Sequence, residues 1–245
     1  MDGEALWRTV VDTLGSVVKG HEAAIHSLGI ASMAESGLLL DHVTGAPRSD
    51  LILWSDTTAA AYAETLAQNS DAVERFIRTG LRISYKLPIA RLLAFKAARP
   101  EQLDAAVWVS TAGYIAFRLT GTLGTDPTLA ARTGAYRIDE RGWDGEWLAS
   151  LGLDANLFPP VVAPGALLGL LAAEPAALLR LPAGLPVAIA GHDHVCAAFA
   201  VGALRPGLAF ESMGTAESLT GVLPRVVLEH SDFESGLVFG CLPDA

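Results

Sequence analysis

The run "GLPVAIAGHDHVCAAFAVGAL", Gly184 to Leu204, constrains the fold more than any other part of the chain. Its first half, "PVAIA", is a short continuous apolar run of the kind buried inside a sheet. Its second half is a small-residue helix that ends near Gly202. Asp193 stands where that helix begins, directly after the strand, at the carboxyl edge of a sheet where α/β proteins gather their ligands. A chain containing this unit is expected to alternate strands and helices.

The remaining pattern agrees with an α/β fold. "EALWRTVVDTLGSVVKG" places Leu6, Val10, Leu14 and Val17 at helical spacing, and Gly20 stops it. "AIHSLGIASM", "SGLLLDHVTGAP" and the short run "LILW" read as three near-adjacent strands, which points to a mixed sheet. Helices are expected between Asp56 and Thr79, in "KLPIARLLAFKAARP", and from Ser110 to Gly121. "TLGTDPTLAARTG" reads as an ordered loop with a short helix, and "RGWDGEWLASLGL" as a short helix whose Trp143 and Trp147 serve packing. "GLAFESMGTAESLTGVL" reads as two strands joined at Met213 and Gly214, and "SGLVFGCL" as a further strand-like run.

His192, Asp193, His194 and Cys196 lie within five positions, so three chemistries compete. A zinc site is poorly served, because the i, i+2, i+4 spacing does not converge across a strand-to-helix bend and no second ligand cluster completes four. A Cys-His nucleophile is no better served, because Cys196 sits among alanines as a small buried hydrophobe does. The residues themselves leave Asp193 open as a helix cap or a catalytic base, with His192 and His194 flanking a substrate or simply packed. In "LWSDTT", Trp54 and Asp56 on alternate strand positions would offer a polyol a ring face and a hydroxyl acceptor. The bland alternative makes Asp56 a helix cap. In "ESMGTAE", Gly214 and Thr215 could offer a phosphate an N–H and a hydroxyl, or form only a hairpin.

Composition narrows the partners. A formal charge of −10 disfavours nucleic acid. The apolar tract "FPPVVAPGALLGLLAAEPAALL" is too often broken by proline and glycine to supply the ~20 residues of a membrane span. Two cysteines and the acidic opening "MDGEALW" point to a soluble cytoplasmic protein with reduced thiols.

In order and spacing, "GIASMAESGLLLDHVTGAP", "ILWSDTTAA", "TGLRISYKLPIARLLAF", "AGYIAFRLTGTLGTDPTLAARTGAYRID", "GLPVAIAGHDHVCAAFAVGALRPG" and "SMGTAESL" together resemble the FGGY family of carbohydrate kinases. The resemblance implies an actin-like, ribonuclease H-like ATPase fold, represented mainly by its first, sugar-binding domain over 1–206, with 207–245 opening a nucleotide-binding domain. It implies Asp193 as the general base, Trp54 and Asp56 on the sugar side, Ser32, Met33 and Glu35 in a substrate-lining loop, and Gly214 and Thr215 against the phosphates of ATP with Mg2+. Two departures stand out. The family's arginine two positions after Asp56 is Thr58 here. No Asp-x-Gly-Thr phosphate loop precedes the first helix, and the chain stops soon after "SMGTAE". The expectation is therefore a sugar or polyol kinase that is weak or inactive as this chain alone. A non-catalytic sugar-binding remnant, or part of a split kinase working with a complementing chain or as a homodimer, is the alternative.

Overall fold

The structure is a computed structural model, and it describes residues 1–214, 217–224 and 227–242. Asp2 accepts the Glu4 N–H and starts α1 (Gly3–Val18), which buries Trp7 and Val18 and lays Leu6, Val10 and Leu14 along the same core. Two strands follow, β1 (Leu28–Ser32) and β2 (Gly37–Asp41). Next come three helices, α2 (Ala60–Gln68), α3 (Ala72–Thr79) and α4 (Pro88–Ala98). Asp71 caps α3 through the Val73 and Glu74 N–H groups, and Gly80 closes it in the left-handed region. β3 (Ala106–Ser110) runs straight into α5 (Thr111–Thr120), with the Ser110 hydroxyl accepting the Gly113 N–H and Gly121 ending the helix, as the sequence predicts.

The chain continues through α6 (Pro127–Ala130), β4 (Tyr136–Arg137), β5 (Gly142–Trp143), α7 (Gly145–Ser150), β6 (Leu167–Leu170) and α8 (Ala173–Leu179). β7 (Pro186–His192) and α9 (Asp193–Ala200) form the strand-to-helix unit expected at Gly184 to Leu204. The hairpin β8 (Ala209–Met213) and β9 (Glu217–Gly221) and the short α10 (His230–Glu234) complete the order.

β2 and β3 pair antiparallel, with Leu39 opposite Trp108 and Leu40 opposite Val107. Leu38, Leu40, Val107 and Val109 face a core shared with Trp7, Tyr114, Leu119 and Val187. Leu39, Ala106 and Trp108 face a second core with Leu87, Ile89, Leu92, Leu148 and Phe158. Cover on both faces explains why "GLLLD" reads as a continuous apolar run rather than an alternation. Each fully buried leucine there contributes roughly 1.5–3 kcal/mol.

The second sheet has the order β1-β7-β6, parallel between β1 and β7 and antiparallel between β7 and β6. It is a mixed sheet with β7 at its centre, but not the one expected from three near-adjacent strands: of those only β1 belongs to it, and β2 pairs with β3 in a separate sheet. The parallel register sets Ser32 beside His192 and Ala31 beside Gly191, so the carboxyl ends of β1 and β7 open side by side.

Two further expectations need correction. "LILW" is not a strand: only Ile52 bridges Gly37, and the chain then turns at Trp54, closed by the Asp56 N–H on the Leu53 carbonyl at 2.9 Å. "SGLVFGCL" joins no sheet: the Phe239 N–H bonds the Gly80 carbonyl just past α3, while Phe233 and Phe239 pack edge-on to Phe76 at 5.5 and 5.9 Å. Conversely, the proline-broken tract contains β6, an edge strand whose Leu167 and Leu170 are exposed. Among the described residues no helix is long and apolar enough to cross a membrane.

Candidate active site

The end of β7 is fixed from below. Gly191 has φ 125°, and a Cβ there would sit 2.6 Å from Thr128 Oγ1 and 3.1 Å from Asp126 Oδ2. Asp126, fully buried, caps α6 through the Thr128 and Leu129 N–H groups, and the Thr128 hydroxyl accepts the His192 N–H at 2.8 Å. Burial raises the Asp126 pKa above the ordinary carboxylate value, against the bonds from Thr128 and Leu129. The start of α6 is thus wedged against the strand end, and only a residue without a side chain fits. Gly191→Ala is expected to cost roughly 1–3 kcal/mol from backbone strain, with overpacking against Thr128 adding to it. A urea midpoint equal to that of the unsubstituted protein would show that this wedge relaxes freely.

Asp193 is the first residue of α9 and is exposed. His192, not Asp193, occupies the N-cap position and makes no side-chain cap bond. Asp193 Oδ1 accepts the His194 N–H at 2.8 Å and lies 3.2 Å from His192 Nε2. The His192 and His194 rings stack at 5.3 Å between centroids. Burial holds the His192 pKa below the ordinary imidazole value, opposed by Asp193 and Glu35 and reinforced by Arg132 and His194. Burial also pushes the Cys196 thiol up, with Asp126 and Asp193 adding to the rise, so that thiol is a poor nucleophile.

The loop after β1 supplies the facing wall. Ser32 is buried, donating to the Met33 carbonyl and accepting the Ala112 N–H at 3.1 Å, so its hydroxyl pins the first turn of α5. Met33 is 40% exposed. Glu35 has φ 60°, a conformation uncommon for a residue with a side chain, and its Oε1 accepts Arg132 Nε at 2.8 Å and Nη2 at 2.5 Å. Next to it, the Ser36 hydroxyl accepts the Trp54 N–H at 2.9 Å. The Trp54 ring is 41% exposed, with the Lys86 ammonium 5.1 Å from its centroid. Asp56 accepts both the hydroxyl and the N–H of Thr58, which hold its carboxyl below the usual range. It does not cap α2, whose N-cap position is Ala59. A narrow recess beside Glu35 and Ser36 is closed by Trp108, Thr133, Trp143 and Phe158.

Gly214 lies at the exposed tip of the β8–β9 hairpin, and Thr215 lies outside the described residues. β8 packs against α9, so the hairpin adjoins the helix that begins at Asp193.

The model of the FGGY family of carbohydrate kinases, N-terminal domain, matches residues 1–200. The chain belongs to the FGGY family. It is 30% identical over 220 residues to glycerol kinase of Gloeobacter violaceus, covering 89% of this chain and 43% of that protein. It is 32% identical over 199 residues to L-fuculokinase of Salmonella typhi, covering 81% and 42%. Gluconate kinase from Lactobacillus acidophilus superimposes with a TM-score of 0.87 at 22% identity, over 95% of this chain and 47% of that one. Xylulose kinase from Rhodospirillum rubrum does so at 0.82 and 26% identity, over 89% and 46%. The α/β fold is thus the actin-like fold of sugar kinases, and the chain spans less than half the length of these relatives.

Within this FGGY chain the tertiary structure joins His192, Asp193, Glu35 and Arg132 at one sheet edge, and ties Trp54 to Ser36. Trp54 and Asp56 lie on a turn and not on a strand, so their alternate spacing carries no common strand face. Sequence reasoning missed Arg132, Arg91 and Asp126. For Asp126 the Asp-Pro step in "TDPTLAAR" is a helix-start signal that could have found it.

Proposed function

We propose that this chain carries the sugar-binding side of an ATP-dependent kinase acting on a sugar or polyol hydroxyl, with Asp193 as general base. The observation that carries the reading is the exposed Asp193 carboxylate at the carboxyl edge of β7, beside the loop of Met33 and Glu35. A base needs an accessible carboxylate within reach of the hydroxyl it deprotonates. With His192 Nε2 3.2 Å from Asp193 Oδ1, the second carboxylate oxygen is the one left for the substrate hydroxyl. Trp54 offers an exposed ring to the apolar face of a polyol, and Glu35, with Asp56, accepts hydroxyl hydrogen bonds.

Among the described residues no three His, Cys, Asp or Glu groups converge on a cation position. Magnesium takes most of its ligands from phosphate and water oxygens, so an ion carried by ATP needs few from the protein, and no metal ligand is assigned among these residues. ATP with magnesium would supply the transferred phosphoryl group and offset its charge. Gly214 and Thr215 are assigned to the phosphate side, residues 1–206 to the sugar domain and 207–245 to the start of the nucleotide domain. A complementing chain or a second copy of this one is the proposed partner. We place the protein in the cytoplasm, where Cys196 and Cys241 stay thiols.

A second reading, sugar binding without turnover, is favoured by how little of a nucleotide site the described residues assemble. Calorimetry with glycerol, D-xylulose, L-fuculose and gluconate tests what both readings share. Saturable heat with one of them is expected, and no heat from folded protein with any of them rejects both. ATP-dependent ADP release in the presence of the bound polyol then separates kinase from binder. Trp54→Ala is expected to weaken that binding about two- to tenfold without changing the thermal midpoint; unchanged affinity would remove Trp54 from the site.

A further inference from the structure

Arg91 sits in the first half of α4 with 2% of its surface exposed. Its guanidinium donates from Nη1 to the Glu35 carbonyl and from Nη2 to the Leu53 carbonyl at 2.8 Å, while Nε is buried with no partner. Its hydrogen bonds thus go to two neutral carbonyls on separate loops. A buried charge is expensive to desolvate, and an apolar side chain of similar volume would fill the same space at lower cost. What an apolar side chain cannot do is hold two carbonyls at a fixed separation, which a planar fork of N–H groups does.

Those two carbonyls belong to the two walls of the candidate site. The Glu35 carbonyl is on the residue at φ 60°, whose side chain is clamped by Arg132. The Leu53 carbonyl immediately precedes Trp54. One other bond crosses between these loops near Trp54, from its N–H to the Ser36 hydroxyl. Thr58 brings no charge to Asp56. The cation acting most strongly on that carboxylate is Arg91, followed by the amino terminus, and both act less strongly than the Thr58 bonds.

We propose that Arg91 is a positioning residue that sets the spacing between the 33–36 and 53–56 loops, and through it the polyol affinity of the site. The affinity part rests on the proposed function above; the spacing part does not. Arg91→Met and Arg91→Lys, made in the whole chain with 5-fluorotryptophan in place of its five tryptophans, separate the two. A Trp54→Phe variant assigns the Trp54 fluorine signal, and Trp7 and Trp147, in other parts of the structure, serve as controls.

In Arg91→Met the Trp54 signal is expected to shift by more than its linewidth while those of Trp7 and Trp147 stay. The Kd for whichever of glycerol, D-xylulose, L-fuculose or gluconate the unsubstituted protein binds should rise at least tenfold. Arg91→Lys, a point charge that cannot grip both carbonyls, should fall between. An unmoved Trp54 signal in folded Arg91→Met overturns the proposal, as does a shift of all five signals together, which marks general loosening. If Arg91→Met fails to fold, Arg91→Lys decides by the same signal. Absence of polyol binding in the unsubstituted protein rejects the functional reading, while the Trp54 signal still decides on Arg91.

Discussion

Asp193→Asn is expected to lower phosphoryl transfer by about two to four orders of magnitude while leaving polyol affinity within a factor of about three. The two side chains have the same shape. The amide oxygen of the introduced asparagine keeps the His194 N–H, which Asp193 Oδ1 accepts at 2.8 Å, so the start of α9 is preserved. An amide cannot take a proton from the attacking hydroxyl, so only the transfer step loses its base. Because the chain spans less than half the length of its relatives, turnover is measured both on the chain alone and on the chain joined to the remainder of a related kinase. ADP release with saturating polyol is the readout. Turnover by the substituted protein within tenfold of the original would remove Asp193 from the base role. It would leave the carboxylate as a local bond to the His194 N–H.

The largest stability effect is expected away from that edge, at Asp144. Arg75 Nη1 meets Asp144 Oδ2 at 2.7 Å with both side chains buried, and the Arg75 guanidinium lies 4.2 Å over the Trp147 ring. Asp144 also caps α7 by accepting the Trp147 N–H. Asp144→Ala strands a buried guanidinium whose Nη2 already lacks a partner, and it removes the cap. Breaking such a pair costs about 3–5 kcal/mol, a large part of the roughly 5–15 kcal/mol that holds a typical domain together. Replacing Arg75 and Asp144 together by apolar residues should recover much of the loss, because no charge is then left unpaired. A urea midpoint for Asp144→Ala that places its stability within about 1 kcal/mol of the original would show that water reaches Arg75.

The same pair makes stability depend on acidity. Burial alone would raise the Asp144 pKa, but the Arg75 bond, the Trp147 N–H and the charges of Arg75 and Arg137 outweigh it and hold it below the ordinary aspartate value. The unfolded chain therefore binds this proton more readily than the folded one. The contribution is complete above the ordinary aspartate range and is lost as pH falls through the lower folded value. Urea midpoints measured down through that range should fall for the unsubstituted protein and fall less for Asp144→Ala.

How far the sequence reaches differs from element to element. Ser110 and Gly121 bracket α5 by chemistry internal to the helix, a hydroxyl on an N–H and a left-handed glycine, so both ends are readable. The Asp193 junction is readable for the same reason: strand, glycine and helix are neighbours in the chain. "LILW" looks like a strand because it is apolar, yet a strand needs a ladder along its length, and only Ile52 forms a β-bridge. β6 is hidden in the opposite way, since its pairing with β7 comes from main-chain groups while its leucines face outward.

Nothing local in the sequence marks Arg91 or Arg132. Their partners lie 56 and 97 residues away, at Glu35. No local pattern records a bond between a side chain and a carbonyl on a distant loop.

By itself, then, the sequence determined the α/β alternation, the strand character of β2 and the placing of Asp193 at a strand-to-helix junction. All of these follow from burial periodicity and from capping between near neighbours. Only the tertiary structure decided that the SMAE loop stands beside Asp193, through the parallel pairing of β1 with β7, and that Trp54 reaches it by a turn held by Ser36 and Arg91. Those contacts join segments whose separation along the chain carries no energetic signature until the sheet forms and brings them together.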